Sequence, residues 1–523
     1  MSIVTNKTAA GQVGPLNGPW PAINPWSRHW AGPGRPASPA TVVAVLTATV
    51  IAALSVPLDR TGLGWLITAL AGAGALVAAR VIRTPEAVPA MVERPADAGT
   101  RGRFLWGAAT VALLAVGTFR AAGWLFVLCL LTATLTTALA LSSGRSLRSI
   151  LLMYLLVPIA AGRGGVWLAR GAARLRGRGR TGAPLRIAAT LAVSIALLVV
   201  FGALFVSADA AFARVFESAI PDLDAFTVFT WVFVSAVTGP LLTAAAYLRA
   251  APPSPGRLDL TEGRKVGRLE WAIPLGLLVL LFAAFVAVQL TVLFGGSRHV
   301  VTTDGLTYAE YARSGFWQLC AVTGLTLLVL AGVARWAPRT GRADRILLRV
   351  VLGALATLTL VIVASALHRM NVYTETYGLT RLRLLVACCE IWFGLVLVMV
   401  LVAGIRIRAA WLPRVAIGAG VLALLALTGA NPDGLIAEDH VKRFERTNEI
   451  DVWYLADLSP DAAPAIAGLD DPERRNCLLA AIGDGMPADD WRGWNAARQT
   501  ARDLIAKYPP RDRGVCLQML DRY

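Results

Sequence analysis

Apolar stretches of membrane-crossing length constrain this chain more than any motif in it. Residues 41–57, 63–79, 104–119, 121–141, 187–206, 225–247, 271–296, 315–334, 350–367 and 415–430 carry no charged side chain. A further stretch, 382–404, carries only Arg383 and Glu390. Most approach the roughly 20 residues that a helix needs to cross about 30 Å of hydrocarbon. The pattern excludes a water-soluble enzyme fold. It predicts an all-α, polytopic helical membrane protein of about eleven spans, twelve if 150–167 also crosses, followed by a small C-terminal helical domain.

Charge supports the same reading. Charged residues make up 16% of the 523 positions, against roughly 25% in soluble domains. The formal net charge is nevertheless +17. In a soluble chain that balance would point to nucleic acid; here the arginines flank apolar spans, as cytoplasmic loops do. The expected partner is the lipid bilayer, with no nucleic acid. Arginine supplies 46 of the 50 basic side chains, and with abundant Ala and Gly this points to a high-GC genome of the actinobacterial kind.

The basic side chains alternate between connections. Arg170, Arg174, Arg176, Arg178, Arg180 and Arg186 form one cluster, Arg335, Arg339, Arg342 and Arg345 a second, and Arg406, Arg408 and Arg414 a third. The connection 209–224 instead sets Arg214 against Asp209, Glu217, Asp222 and Asp224. The positive-inside rule places the Arg-rich connections in the cytoplasm of a bacterial inner (plasma) membrane protein. All clusters fall on one side if 150–167, interrupted by Pro158, Arg163 and three glycines, lies at the inner interface. The N-terminus is then cytoplasmic and the C-terminus extracytoplasmic. Residues 1–38, Pro/Gly-rich and without an apolar core, read as a disordered tail, so 41–57 acts as an uncleaved anchor. A first transmembrane unit with a basic loop occupies 39–186, a second 187–430, and an external helical domain 431–523.

The last segment is polar, with helix-start signals at Ser459-Pro460-Asp461 and Asp471-Pro472-Glu473. Asp489 or Asp490 is placed to cap a helix ending near Lys507, before Pro509-Pro510. Leu478, Leu479 and Ile482 share one helical face. Cys477 and Cys516 are the only cysteines outside the spans. In an exported tail they meet an oxidising compartment, so a disulfide between them is expected.

No P-loop, GxSxG, HExxH or paired CxxC occurs. Cys388 and Cys389 read as small packing residues. Glu390 is the one acid deep in a span, where a carboxylate costs about 2.5–3.5 kcal/mol. Arg383 lies two turns away on the same face, so the acid reads either as a ligand- or proton-handling group or as part of a buried structural pair or a hydrogen bond to a neighbouring helix. In 302–316, Thr307 and Glu310 form a T-x-x-E capping box, with Tyr308 and Tyr311 at aromatic-belt depth and Arg313 beyond. The segment 368–381 adds Glu375, Tyr377 and Arg381. His299, His368 and His440 share the external layer with Asp433 and Asp439, but their wide separation makes a poor metal site. No metal and no cofactor is expected.

At these residues the chain resembles a known family. GLTYAEYARSGFWQL, ETYGLTRLRLL and NPDGLIAEDHVKRF are similar to the three signature stretches of the DUF4173 family, formerly grouped under DUF4153, and VWYLADLSPDAAPAI to the start of its soluble tail. The resemblance covers about residues 187–469, with His440 at a position where the family carries Asn. It implies a bacterial polytopic membrane protein and no activity.

Three functions are compatible with the sequence. The first is a non-catalytic sensor, scaffold or accessory component with an external polar site and an unnamed protein partner or small-molecule ligand. The second is a small-solute transporter, resting on Glu390. The third is an enzyme acting on lipid-linked substrates at the outer membrane surface. In each, the signature stretches converge on one external site. Glu310 with Arg313, Glu375 with Arg381, and Asp439 with Lys442 or Arg443 carry opposite charges that need partners at a membrane surface. Arg381 is therefore expected to touch an acid from another stretch, with Tyr308, Tyr311 and Tyr377 walling the same cavity.

The orientation is tested with a cysteine introduced near Ser27 in intact cells. An impermeant thiol reagent should leave it unlabelled; labelling from outside would overturn the eleven-span topology.

Overall fold

The computed structural model describes residue 30 and residues 32–81, 96–141, 147–175, 225–252, 267–294, 316–337, 341–406 and 410–510, together with Cys516 and a few positions between 194 and 209. Most of 187–206, the loop around 302–315 and most of 1–38 lie outside this set. Among the described residues every regular element is helical.

The apolar stretches form α1 (Pro39–Ser55), α2 (Leu63–Val81), α3 (Ala96–Phe119), α4 (Gly123–Leu141), α5 (Leu147–Leu175), α6 (Ala225–Ala250), α7 (Arg268–Phe294), α8 (Phe316–Trp336), α9 (Arg342–Tyr377), α10 (Arg381–Arg406) and α11 (Leu412–Ala430). Eight of them are long and apolar enough to cross a membrane, and α1 and α2 are shorter apolar helices. This is the pattern of a multi-pass membrane protein. Their surface is inverted relative to a soluble bundle: Leu277, Leu280 and Leu281 of α7 and Leu328 of α8 are each more than 60% exposed. Helices apolar all round belong in lipid.

Packing forms two groups. Leu275, Phe282, Leu330, Leu355, Ile362 and Leu397 join α7, α8, α9 and α10 into one core. The other group contains α1–α5 and α6: Ala52 of α1 packs with Val234 of α6, and Leu156 and Ala160 of α5 with Ala138, Leu141, Tyr247 and Leu248. Helix α11 bridges the two, packing Val421 on Leu113 and Cys129 and Leu427 beside Leu384 and Cys388 of α10.

Residues 150–167 fall within α5, which runs through Pro158 without a break. It is not among the eight spanning candidates. Its buried contacts gather at one end of the bundle, with Leu76 near the end of α2, Leu141 ending α4 and Leu248 near the end of α6. The chain entering α1 folds over the same end. The Trp30 indole donates to Ala251 O at 2.8 Å, the Trp167 indole to Arg35 O at 2.9 Å, and the Arg163 guanidinium lies 5.0 Å from the Trp30 ring centroid.

Helix α9 is 36 residues long, or about 54 Å at 1.5 Å per residue. That exceeds the roughly 30 Å hydrocarbon layer, so the helix projects well past the apolar layer and carries Gly378 into the polar C-terminal layer. That layer begins at Asn431, a left-handed residue (φ 57°) that ends α11 and caps α12 (Pro432–Thr447) through Gly434 N. The short helices α13 (Val452–Ala456) and α14 (Ala463–Ile466), then α15 (Pro472–Asp484) and α16 (Ala496–Lys507), complete it. Ile436, Leu455, Ile466, Leu478, Leu479, Ile482 and Ala501 form its core, as the spacing of Leu478, Leu479 and Ile482 predicts. Asp471 caps α15 as expected. The α16 cap differs: Asn495 accepts from Arg498 N, while Asp489 and Asp490 stay in the preceding turn. Asp489 is drawn to Arg498 and Arg502, each at 3.0 Å, and a carboxylate with that many cations has no need of a helix terminus. Ser459 precedes a single 3₁₀ turn, Pro460–Ala462, and its side chain does not cap it.

Cys477 and Cys516 are joined, with Cα atoms 5.1 Å apart. The bond ties the chain after α16 to α15 across 39 residues. Replacing Cys477 by Ser should destabilise the C-terminal layer by about 2–5 kcal/mol. Reduction of the wild type should match that shift in unfolding midpoint; no change in either would remove the bond from the stability argument.

Candidate functional site

The C-terminal layer meets the bundle at one end only, and the meeting surface is made of charged side chains that satisfy one another. Arg381, the first residue of α10, stands where the chain turns from α9. Its Nε and one terminal nitrogen donate to the two carboxylate oxygens of Asp433 in α12, at 3.1 and 2.9 Å. The guanidinium also donates to the side chain and carbonyl of Asp457, at 3.0 and 2.9 Å. The Arg381 backbone N–H donates to the Tyr454 hydroxyl at 2.9 Å. A bidentate fork of this kind fixes orientation as well as charge.

Asp433 is fully buried. Besides Arg381 it accepts from the Trp124 indole at 3.2 Å and from Ser459 N at 3.0 Å. Burial pushes its carboxyl up, but the Arg381 guanidinium and the Ser459 hydrogen bonds outweigh burial and hold it below the usual carboxylate range.

Two further junctions repeat the device. The Asp461 carboxylate accepts from Ala121 N and Ala122 N, at 2.7 and 2.8 Å, in the turn between α3 and α4, with Arg120 at 3.6 Å. Arg120 in turn donates to Thr428 O and Gly429 O at the end of α11. Here burial prevails, and the Asp461 carboxyl is raised. Arg498, 3% exposed, spans from Asp489 at 3.0 Å to Thr61 O at 2.7 Å in the α1–α2 turn. Asn495 donates to Gly117 O and Arg120 O. The turns α1–α2, α3–α4 and α9–α10 and the end of α11 are thus all held by the C-terminal layer.

Gly378 ends α9 at φ 77° and ψ 167°, a region open essentially to glycine alone. A Cβ there would lie 3.1 Å from the His440 ring. That close approach lets His440 meet Leu379 O at 3.1 Å and Asp439 accept from Leu379 N at 2.8 Å.

The residues expected to share the site separate. Arg381 contacts an acid from another signature stretch, Asp433, and Asp439 binds the neighbouring backbone. Glu375 does not reach Arg381; it accepts from Asn371 one turn back on α9, at 2.8 Å. Tyr377 lies tilted against Tyr373 with ring centroids 4.9 Å apart and is 47% exposed. Lys442 pairs with Glu438 and Arg443 with Glu449, both at the surface, and neither takes Asp439. The pairing of Arg383 with Glu390 is not formed. Seven residues put them on one face but about 10 Å apart along the axis, and Arg383 turns to Gly378 O and the Tyr373 ring, 4.2 Å away. Glu390 is 1% exposed, and its carboxyl faces the Cys320 thiol of α8, a weak donor that leaves the oxygens without a well-formed hydrogen bond. Tyr308, Glu310, Tyr311 and Arg313 lie outside the described residues. No set of three or more metal-ligating side chains gathers among the described residues.

Sequence reasoning passed over Arg120, Asp457, Asp461 and Arg498. Arg120 had a legible signal, a lone cation in the short turn between two apolar stretches. Arg498, inside an ordinary polar helix, had none.

A family model described as a domain of unknown function, DUF4153, matches residues 108–469. The match starts earlier than the resemblance read from the signature stretches. No curated protein and no solved structure matches the chain.

His440 supplies a pH test of this layer. Burial depresses its imidazole below the ordinary value, against the Leu379 carbonyl, Asp439 and Asp451. The folded value lies below the unfolded one of about 6.5. The contribution is therefore complete above that pH and is lost as pH falls below it. Asp433 gives way only below about 3.9, and raised Asp461 acts with the opposite sign. Between pH 7 and 5.5 the wild type should lose more stability than His440→Gln. Parallel thermal-unfolding profiles would show that the His440 imidazole titrates alike in the folded and unfolded chain, and would overturn the depression.

Proposed function

The chain belongs to the DUF4153 family, a domain of unknown function, and on that premise we propose that it is a non-catalytic membrane scaffold or accessory component of the bacterial inner membrane. In this reading the N-terminus is cytoplasmic and eleven spans carry a rigid external helical platform, with the narrower DUF4173 grouping read from its signature stretches. One observation carries the proposal: the buried charged side chains at the junction are engaged by one another and by the helix turns. Asp433 has four donors, from Arg381, Trp124 and Ser459, and Arg498 is engaged by Asp489 and Thr61. A catalytic or ligand site keeps some polar groups turned toward its substrate; these are turned toward the fold. The Arg-rich connections and the cysteine pair support the orientation, because disulfides persist where the compartment is oxidising.

The transport reading rests on Glu390, a buried intramembrane acid that faces the Cys320 thiol of α8 and pairs with no cation among the described residues.

One experiment separates the readings, using the growth phenotype of a deletion strain and protease sensitivity of the C-terminal layer. Arg381→Met should release the layer, because an unpaired buried carboxylate costs about 3–5 kcal/mol. Combining it with Asp433→Leu should restore both the layer and complementation. A double variant that is folded but inactive would overturn the scaffold reading. Glu390→Gln should complement fully; its failure, with normal folding, would establish the transport reading instead.

A further inference from the structure

We propose that α8, α9, α10 and α11 form a binding site for one acyl chain of an anionic phospholipid, whose phosphate is held by Arg349. Between these helices lies a cavity of about 490 Å³, within the range of small-molecule sites. Its walls are apolar, with Leu330, Leu352, Trp392, Val400 and Ile417 among them, and Arg349 is the one charged lining residue among the described residues. The Trp392 indole N–H is spent on Ala416 O at 3.0 Å, so that wall offers hydrocarbon and no donor.

The cavity exists because its walls lack side chains to fill it. Gly353 and Gly404 line it, and a Cβ added at either would meet open space. An apolar space of this kind does not hold water, which needs two to four polar partners. In a bundle surrounded by lipid, the apolar molecule at hand is an acyl chain.

The polar end fits the head of the same molecule. Arg349 sits two turns into α9 and is exposed, with no ion-pair partner among the described residues. The nearby acid Asp344 is already held by Arg268 at 2.5 Å. Trp336, 49% exposed, ends α8, and Trp411, 37% exposed, precedes α11. Exposed tryptophans at helix ends mark headgroup depth, so Arg349 stands near the phosphate level while the cavity runs into hydrocarbon. Arg339, Arg342 and Arg345 share the α8–α9 end in sequence and favour an anionic head over a zwitterionic one. Naming the inner leaflet rests on the orientation proposed above; binding itself does not.

The full chain is reconstituted in nanodiscs holding equal phosphatidylglycerol and phosphatidylcholine, then stripped in detergent and weighed by native mass spectrometry. The wild type should retain one phospholipid, with phosphatidylglycerol favoured about tenfold or more. Arg349→Ala should abolish that preference. Gly353→Leu should lose the lipid while the unfolding temperature is kept. Equal retention of both lipids by the wild type, an undiminished preference in Arg349→Ala, or lipid retained by a folded Gly353→Leu would each overturn the site. If Gly353→Leu does not fold, a photoreactive phenylalanine at Val400 decides: crosslinking to phospholipid supports the site, and crosslinking to protein, or none, refutes it. Both leaflets of a nanodisc are alike, so a wrong orientation leaves this result intact, and failure here leaves the scaffold reading standing.

Discussion

Asp433 carries no exposed surface at the junction between bundle and C-terminal layer, and a carboxylate buried there stays charged chiefly because Arg381 faces it with its Nε and one terminal nitrogen. Everything else at that end of the molecule follows from this pair. It fixes where α10 begins, and it brings α12 against the α9–α10 turn. It also places Trp124, from a different hairpin, within reach of the same carboxylate. A buried pair of this kind is weak as a source of net stability and strong as a specifier of arrangement, since separating the partners strands a charge.

The same logic recurs where the layer touches other turns. Arg120 ties the α3–α4 turn to the end of α11 and to Asp461, and Arg498 ties α16 to Thr61. Helix hairpins in lipid gain little from hydrophobic attraction between helices, because lipid tails are as apolar as their side chains. Polar turns at one end, gathered by one layer, give the separate hairpins a common register that the hydrocarbon does not impose. The disulfide between Cys477 and Cys516 then closes that layer on itself.

Some described polar groups that do not take part in this layer lie within the helices. Gln289 accepts from Ser365 and Arg369 across α7 and α9, which is ordinary interhelical hydrogen bonding. Glu390 and the cavity bordered by Arg349 differ. One is a buried acid that faces a thiol and no cation among the described residues, the other an apolar space with a cation at its rim. They lie on opposite sides of the question of function, since Glu390 concerns passage through the bundle and the cavity concerns attachment to the bilayer around it.

The sequence by itself determined the helices. Runs such as 271–296, with no charge in 26 residues, have one outcome in lipid, and Asp471 before Pro472 marks a helix start wherever it occurs. It also determined that Cys477 and Cys516 would be the pair, because no other cysteine lies outside the spans. Tertiary structure alone decided which charges meet. Glu375 and Arg381 are six positions apart and do not touch, because Gly378 turns the chain between them; Arg381 and Asp433 are 52 apart and share two hydrogen bonds. Hydropathy is a property of each segment and can be read locally. Charge pairing depends on which turns the bundle brings to the same end, and no local pattern encodes that. For the same reason Arg498 was invisible as a clamp residue, and the cavity at Gly353 and Gly404 appeared only once four helices had been set around it.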